Sequence, residues 1–150
     1  MNMNKKGFTL VELLATMVIL AIIAGVAIPN VIKIMTNNNK EKVLNDGLTM
    51  IAQAKSVLAS DYDLREQISQ TGASKTIYLH SLDKFGDITN DPNGVAYNRN
   101  SSYVKVFKSG GLIAYCVYLE SDNWVLKNSS SCVNENELLV DNAKNHVNEK

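Results

Sequence analysis

KKGFTLVELLATMVILAII, Lys5 to Ile23, sets a single carboxylate, Glu12, near the start of a long apolar run. From Phe8 to Ile28 no other side chain ionises. As a helix this stretch is about 31 Å long, enough for one bilayer crossing. A charge inside such a segment costs roughly 2.5 to 3.5 kcal/mol on insertion scales, so Glu12 calls for a partner or a purpose.

The flanks give the orientation. Ahead of the run stands MNMNKKG, and Lys5 and Lys6 place that end in the cytoplasm, with the rest of the chain exported. AGVA, Ala24 to Ala27, has the small residues of a secretory cleavage site, so a cleaved, secreted protein is one alternative. A plain anchor or signal peptide gains nothing from Glu12. A helix that packs beside a copy of itself can instead pair it with a cation in a low-dielectric environment. A cut between Gly7 and Phe8 would create such a cation as a new amine.

Lys6, Gly7, Phe8, Thr9, Leu10, Val11, Glu12, Leu13 and Leu14, followed by an apolar run and Pro29, resemble the signature of the type IV pilin family. The resemblance is close over Lys5 to Pro29 and looser beyond. It implies that prepilin peptidase cuts after Gly7 and that Phe8 is N-methylated. It also implies that Glu12 neutralises the Phe8 amine of a neighbouring subunit as helices bundle into a filament. The partners implied are other pilins, in a homo- or hetero-oligomer, the prepilin peptidase, an inner-membrane assembly platform and the membrane; nucleic acid is left open. The localisation implied is a single-pass membrane protein that becomes part of an extracellular pilus.

Pro29 removes a backbone donor and crowds the carbonyl of Gly25, so a kink or a melted turn is expected within a helix that continues. Beyond it Val43, Leu44, Leu48, Ile51, Ala54, Val57 and Leu58 recur at helical spacing, with Lys40, Lys42, Asn45, Gln53 and Lys55 on the other face. The expectation is one helix from about Phe8 to about Ser60, about 80 Å long. Asp61 to Ser74 reads as a loop with at most a helical turn. Candidate strands follow at Thr76–Leu82, Ser102–Lys108, Leu112–Ser121 and Asn123–Asn128, with a hairpin turn at Ser109–Gly111. The fold class is α+β: a long helix, half stem and half amphipathic, packed on a small antiparallel meander of four strands or fewer. The divisions are a leader, 1–7, a membrane or filament-core helix, 8–28, an amphipathic half, 29–60, and a globular head, 61–150.

DPNGVAYN, Asp91 to Asn98, has the chemistry of a turn. Pro92 sets it, Gly94 can take positive φ, Asp91 caps nearby amides and Tyr97 re-enters the core. It looks like the Asp-Pro-x-Gly-x-x-Tyr turn of some pilins and pseudopilins. Calcium held by Asp87, Asn90, Asp91 and Asn93 is the competing reading, without a known loop spacing.

The formal net charge of zero encodes no strong pull toward nucleic acid or anionic lipid. Cys116 and Cys132, the only cysteines, lie in the exported portion, and a bond between them resembles the carboxyl-terminal disulfide of many pilins. Cys116 as a free thiol in an apolar strand is the alternative. Catalytic constellations are missing: His80 sits on a strand pattern, His146 in a polar tail, Asn142–Lys150, that looks frayed. Trp124 with Tyr115 and Tyr118 reads as sheet packing rather than a sugar platform. Lys105 and Lys108 beside Tyr103 and Phe107 read as a solvated face rather than a DNA contact. The expectation is therefore no enzyme, no metal, no cofactor, and a pilin for adhesion, motility or DNA uptake. The alternatives are a pseudopilin of a type II secretion or competence system and a monomeric anchored binding protein.

Overall fold

The computed structural model describes residues 8–86, 88–129 and 131–150, leaving aside the side chains of Thr71 and Asp83. They fall into two compact units divided between Asn37 and Asn38. Helix α1, Leu10–Ser60, belongs to both. It passes through Pro29 without interruption, so the melted turn is not observed. Its amino-terminal unit is a single helix with exposed apolar side chains on every side, as expected of a segment whose solvent is lipid or other helices.

The second unit is an α+β head. Along α1 it buries Val43, Leu44, Gly47, Met50, Ile51, Ala54 and Leu58, a stripe at three-and-four spacing. Gln53, placed by its polarity on the outer face, is buried instead and 4% exposed. It lies one turn from Met50 and Val57, and position on the helix overrides residue type. At Gly47 the helix approaches the sheet closely: a Cβ there would stand 2.4 Å from Cδ2 of Leu126.

Strands β1, Lys75–Tyr78, β2, Tyr103–Ser109, β3, Leu112–Glu120, β4, Trp124–Leu126, and β6, Val147–Glu149, form one antiparallel path in the order β1-β2-β3-β4-β6; β5, Val133–Asn134, pairs with β3. Val104 and Val106 on β2 and Val117 and Leu119 on β3 supply the buried face. The β2–β3 turn needs positive φ at both Gly110 and Gly111, 58° and 85°, and this fixes the register Ser109↔Leu112.

Three expectations are corrected. Asp61–Ser74 is not a loop: it holds helix α2, Tyr62–Thr71, started by Asp61 accepting from the Leu64 amide and stopped by Gly72 at φ 68°. Leu64 and Ile68, four apart, turn inward from it. The strand expected over Thr76–Leu82 ends at Tyr78, because Leu79 and Leu82 bury themselves from tight 3₁₀ turns. The tail Asn142–Lys150 is not frayed. It makes a 3₁₀ turn and then β6, with Val147 buried, and the Lys150 amide donates to the Asn123 carbonyl at 2.8 Å. The sheet thus has six strands rather than four.

Candidate functional site

Two places concentrate chemistry, one in each unit. At the start of α1, Thr9 and Glu12 bond reciprocally. Oε2 of Glu12 accepts from the Thr9 amide at 2.9 Å and the Thr9 hydroxyl at 2.8 Å, while Oγ1 of Thr9 accepts from the Glu12 amide at 3.3 Å. This is a capping box, and it satisfies helix-end donors that would otherwise face lipid. The helix dipole further favours a negative side chain in the first turn. Both bonds fall on Oε2, and among the described residues Oε1 accepts none. Phe8 precedes the box, 83% exposed. Gly7, the residue expected before the cut, lies outside the described residues.

The prokaryotic N-terminal methylation motif matches residues 2–28. The motif supports a type IV pilin-like prepilin with a class III signal peptide. The match ends one residue before Pro29 and leaves the head outside it. No curated protein and no solved structure matches the chain. What is legible of the motif's chemistry therefore sits in the capped stem, and the head has to be read from its own geometry.

Reading Glu12 as a charge in need of a partner overlooked Thr9. The signal was present: a threonine three residues before a glutamate at the head of an apolar run is the sequence form of a capping box. Pro29 leaves the carbonyl of Gly25 without its helical donor. One residue on, the Asn30 side chain donates to the Val26 carbonyl at 3.2 Å.

In the head the focus is Asp91, 2% exposed. Its Oδ1 accepts from the amides of Asn93 and Val95, both at 2.9 Å; its Oδ2 accepts from the Ser121 hydroxyl at 2.7 Å and the Asn123 amide group at 3.2 Å. Burial pushes this carboxyl up, and the bonds led by Ser121 more than offset it, so Asp91 ionises below the ordinary aspartate value. The indole N–H of Trp124 donates to Oδ1 of Asn93 at 2.6 Å, which ties the turn to the sheet. Tyr97 is buried and donates to Asp46 on α1 at 2.8 Å; burial and that bond hold its hydroxyl far above the usual tyrosine value. Lys42 completes the tie, donating to Asp46 and to the Asn90 carbonyl, each at 2.7 Å.

DPNGVAYN therefore works as a clasp between helix and sheet. Gly94 takes φ 85° and its amide closes the turn on the Asp91 carbonyl at 3.0 Å. Both oxygens of Asp91 serve protein donors, which argues against calcium here; Asp87, the first of the ligands considered, lies outside the described residues. No group of three or more potential metal ligands occurs among the described residues.

Cys116 and Cys132 are joined in a disulfide beside the β3–β5 pairing. Trp124 is 1% exposed, a core residue. Lys108 donates to the Ser69 carbonyl at the end of α2, so it does not gather with Lys105. Tyr103 contacts Tyr78 on one neighbouring strand and Tyr118 on the other, as cross-strand pairs do, and His80 stacks on Tyr78. Glu120 accepts from Ser101, from the Tyr118 hydroxyl at 2.7 Å and from Lys150 at 3.1 Å. Burial, then the bond to Glu120, push Tyr118 up to about 12.

Proposed function

We propose that this protein is a type IV pilin subunit, cut after Gly7, N-methylated at Phe8 and assembled into a surface filament. The observation that carries the reading is the conjunction of the methylation motif with Glu12, whose Oε2 is held by Thr9 while Oε1 accepts no bond among the described residues. A free carboxylate oxygen in the first turn is suited to the Phe8 amine of a neighbouring subunit. The apolar side chains exposed along the stem then pass from lipid to other helices without meeting water.

Processing and assembly are read together by mass spectrometry of material sheared from cells. The expected amino-terminal peptide begins with N-methyl-Phe8, and a Gly7→Arg variant stays uncut. Peptides beginning at Met1, or just after Ala27, would replace this reading with an uncut anchor or a secreted head. A pseudopilin of a secretion or competence system shares the processing and differs in yielding no long filament in the sheared fraction.

A further inference from the structure

Asn93 and Gly94 form the only asparagine–glycine pair in the chain. Such a pair carries a reaction of its own. Glycine has no Cβ to keep its nitrogen away from the side chain before it, so the Gly94 nitrogen can reach Cγ of Asn93 once the backbone is free to turn. Deprotonated by hydroxide, that nitrogen bonds to Cγ, the Cγ–Nδ2 bond breaks, and the side-chain nitrogen takes up a proton and leaves as ammonia. Water then opens the cyclic imide at either carbonyl, giving aspartate or isoaspartate. In sum an amide and a water become an acid and an ammonia, and nothing is oxidised or reduced.

The clasp restrains both reacting groups. The amides of Asn93, Gly94 and Val95 all donate to Asp91: the first and last to Oδ1, each at 2.9 Å, and that of Gly94, the nucleophile, to the carbonyl at 3.0 Å. A nitrogen whose hydrogen is held in this way resists losing it. Oδ1 of Asn93 accepts from the Trp124 indole at 2.6 Å, which fixes the other reacting group against the sheet. Cover from solvent is not the restraint. Asn93 is exposed, and a Cβ on Gly94 would meet nothing within 4 Å.

We propose that Asn93 is a deamidation site silenced by the clasp, which converts when the clasp opens. Conversion is one-way and reinforces itself. Isoaspartate routes the backbone through the side chain, so the Gly94 amide no longer falls on the Asp91 carbonyl. Aspartate keeps the backbone but sets a second carboxylate beside the buried Asp91, whose Oδ1 already accepts from the amide of the same residue. Either product weakens the clasp that restrained it, and a head that has stayed open carries a permanent mark.

The test uses the full chain in detergent, held at mildly alkaline pH with and without enough guanidinium chloride to unfold the head. Trypsin releases residues 85–99, in which fragment masses separate Asn93 from Asn90 and Asn98. In denaturant Asn93 is expected to convert first of the three. Without denaturant it should convert at least about thirtyfold more slowly, the population effect of two ordinary hydrogen bonds. Asp91→Ala without denaturant should recover most of that difference. Equal rates in the folded and unfolded chain, or Asn90 or Asn98 converting ahead of Asn93 in denaturant, would overturn the proposal. So would a folded Asp91→Ala variant that converts as slowly as the unaltered chain; if that variant does not fold, the two rates of the unaltered chain decide alone. Converted chain, once refolded, should unfold at a lower denaturant midpoint than unconverted chain. An unchanged midpoint would remove the self-reinforcing step.

Discussion

Asp91 holds the head together through one carboxylate. Four donors converge on it from the turn and from the β3–β4 connection. Asp91→Ala strands those donors in a buried place and is expected to cost about 3 kcal/mol, lowering the melting temperature by about 5–10 °C. The sign with pH follows from its lowered value. The stability that Asp91 contributes is complete above the unfolded-state value near 3.9 and is lost as pH falls through the lower folded value. Urea titrations should therefore show stability falling below about pH 4 and a flatter acid limb in Asp91→Asn; an unchanged limb would remove Asp91 as its source. The sequence already showed Asp91 as a cap and Tyr97 as a core residue. It did not show the donors from Ser121, Asn123 and Trp124, which are remote in the chain and are brought close only by the sheet.

At the scale of elements, α1 and β4 meet at Gly47. Gly47→Ala gains helix propensity of about 1 kcal/mol. It also forces a methyl onto Leu126, which is fully buried. The clash is expected to win by about 1 kcal/mol in chemical denaturation. Adding Leu126→Ala should reveal a coupling of about 1 kcal/mol in a double-mutant cycle, whereas additive effects would mean that the backbone, not Leu126, absorbs the methyl. The disulfide is the second tie between elements. Its ends are 16 residues apart, and closing such a loop is worth about 3 kcal/mol in the chain-entropy model. Joint replacement of Cys116 and Cys132 by alanine should lower the melting temperature by about 5–10 °C, and a smaller loss would show that β3–β5 pairing already restrains the loop. Helix α2 was legible in hindsight from its Asp61 cap, the Leu64–Ile68 spacing and Gly72. Strands β5 and β6 were not, since two or three residues in a polar stretch show no period.

For the whole molecule, the proposed processing and assembly are expected to separate at Glu12. Glu12→Ala leaves the cut site and the apolar stem in place, so the peptidase product should still form. It removes both the cap on α1 and the free Oε1, so entry into filaments should drop at least tenfold in the sheared fraction. Glu12→Gln keeps an oxygen for Thr9 but no charge, and it tells the two roles apart. Assembly near normal in Gln would assign Glu12 to capping, while failure like that of Ala would assign it to the neighbour's amine.

What the sequence determined by itself was local or periodic. The stem follows from a run of apolar residues, because lipid solvates any helix whose surface is uniformly apolar. The motif at Gly7, Phe8 and Glu12, the stripe on α1 and the glycine-rich hairpin need only neighbours within a few turns. The tertiary structure decided what depends on distant partners: the burial of Gln53, the clasp built on Asp91, the docking of the tail as β6, and the close approach at Gly47. Those features arise where segments far apart in the chain compete for the same space and the same hydrogen bonds, and no window along the sequence contains both competitors.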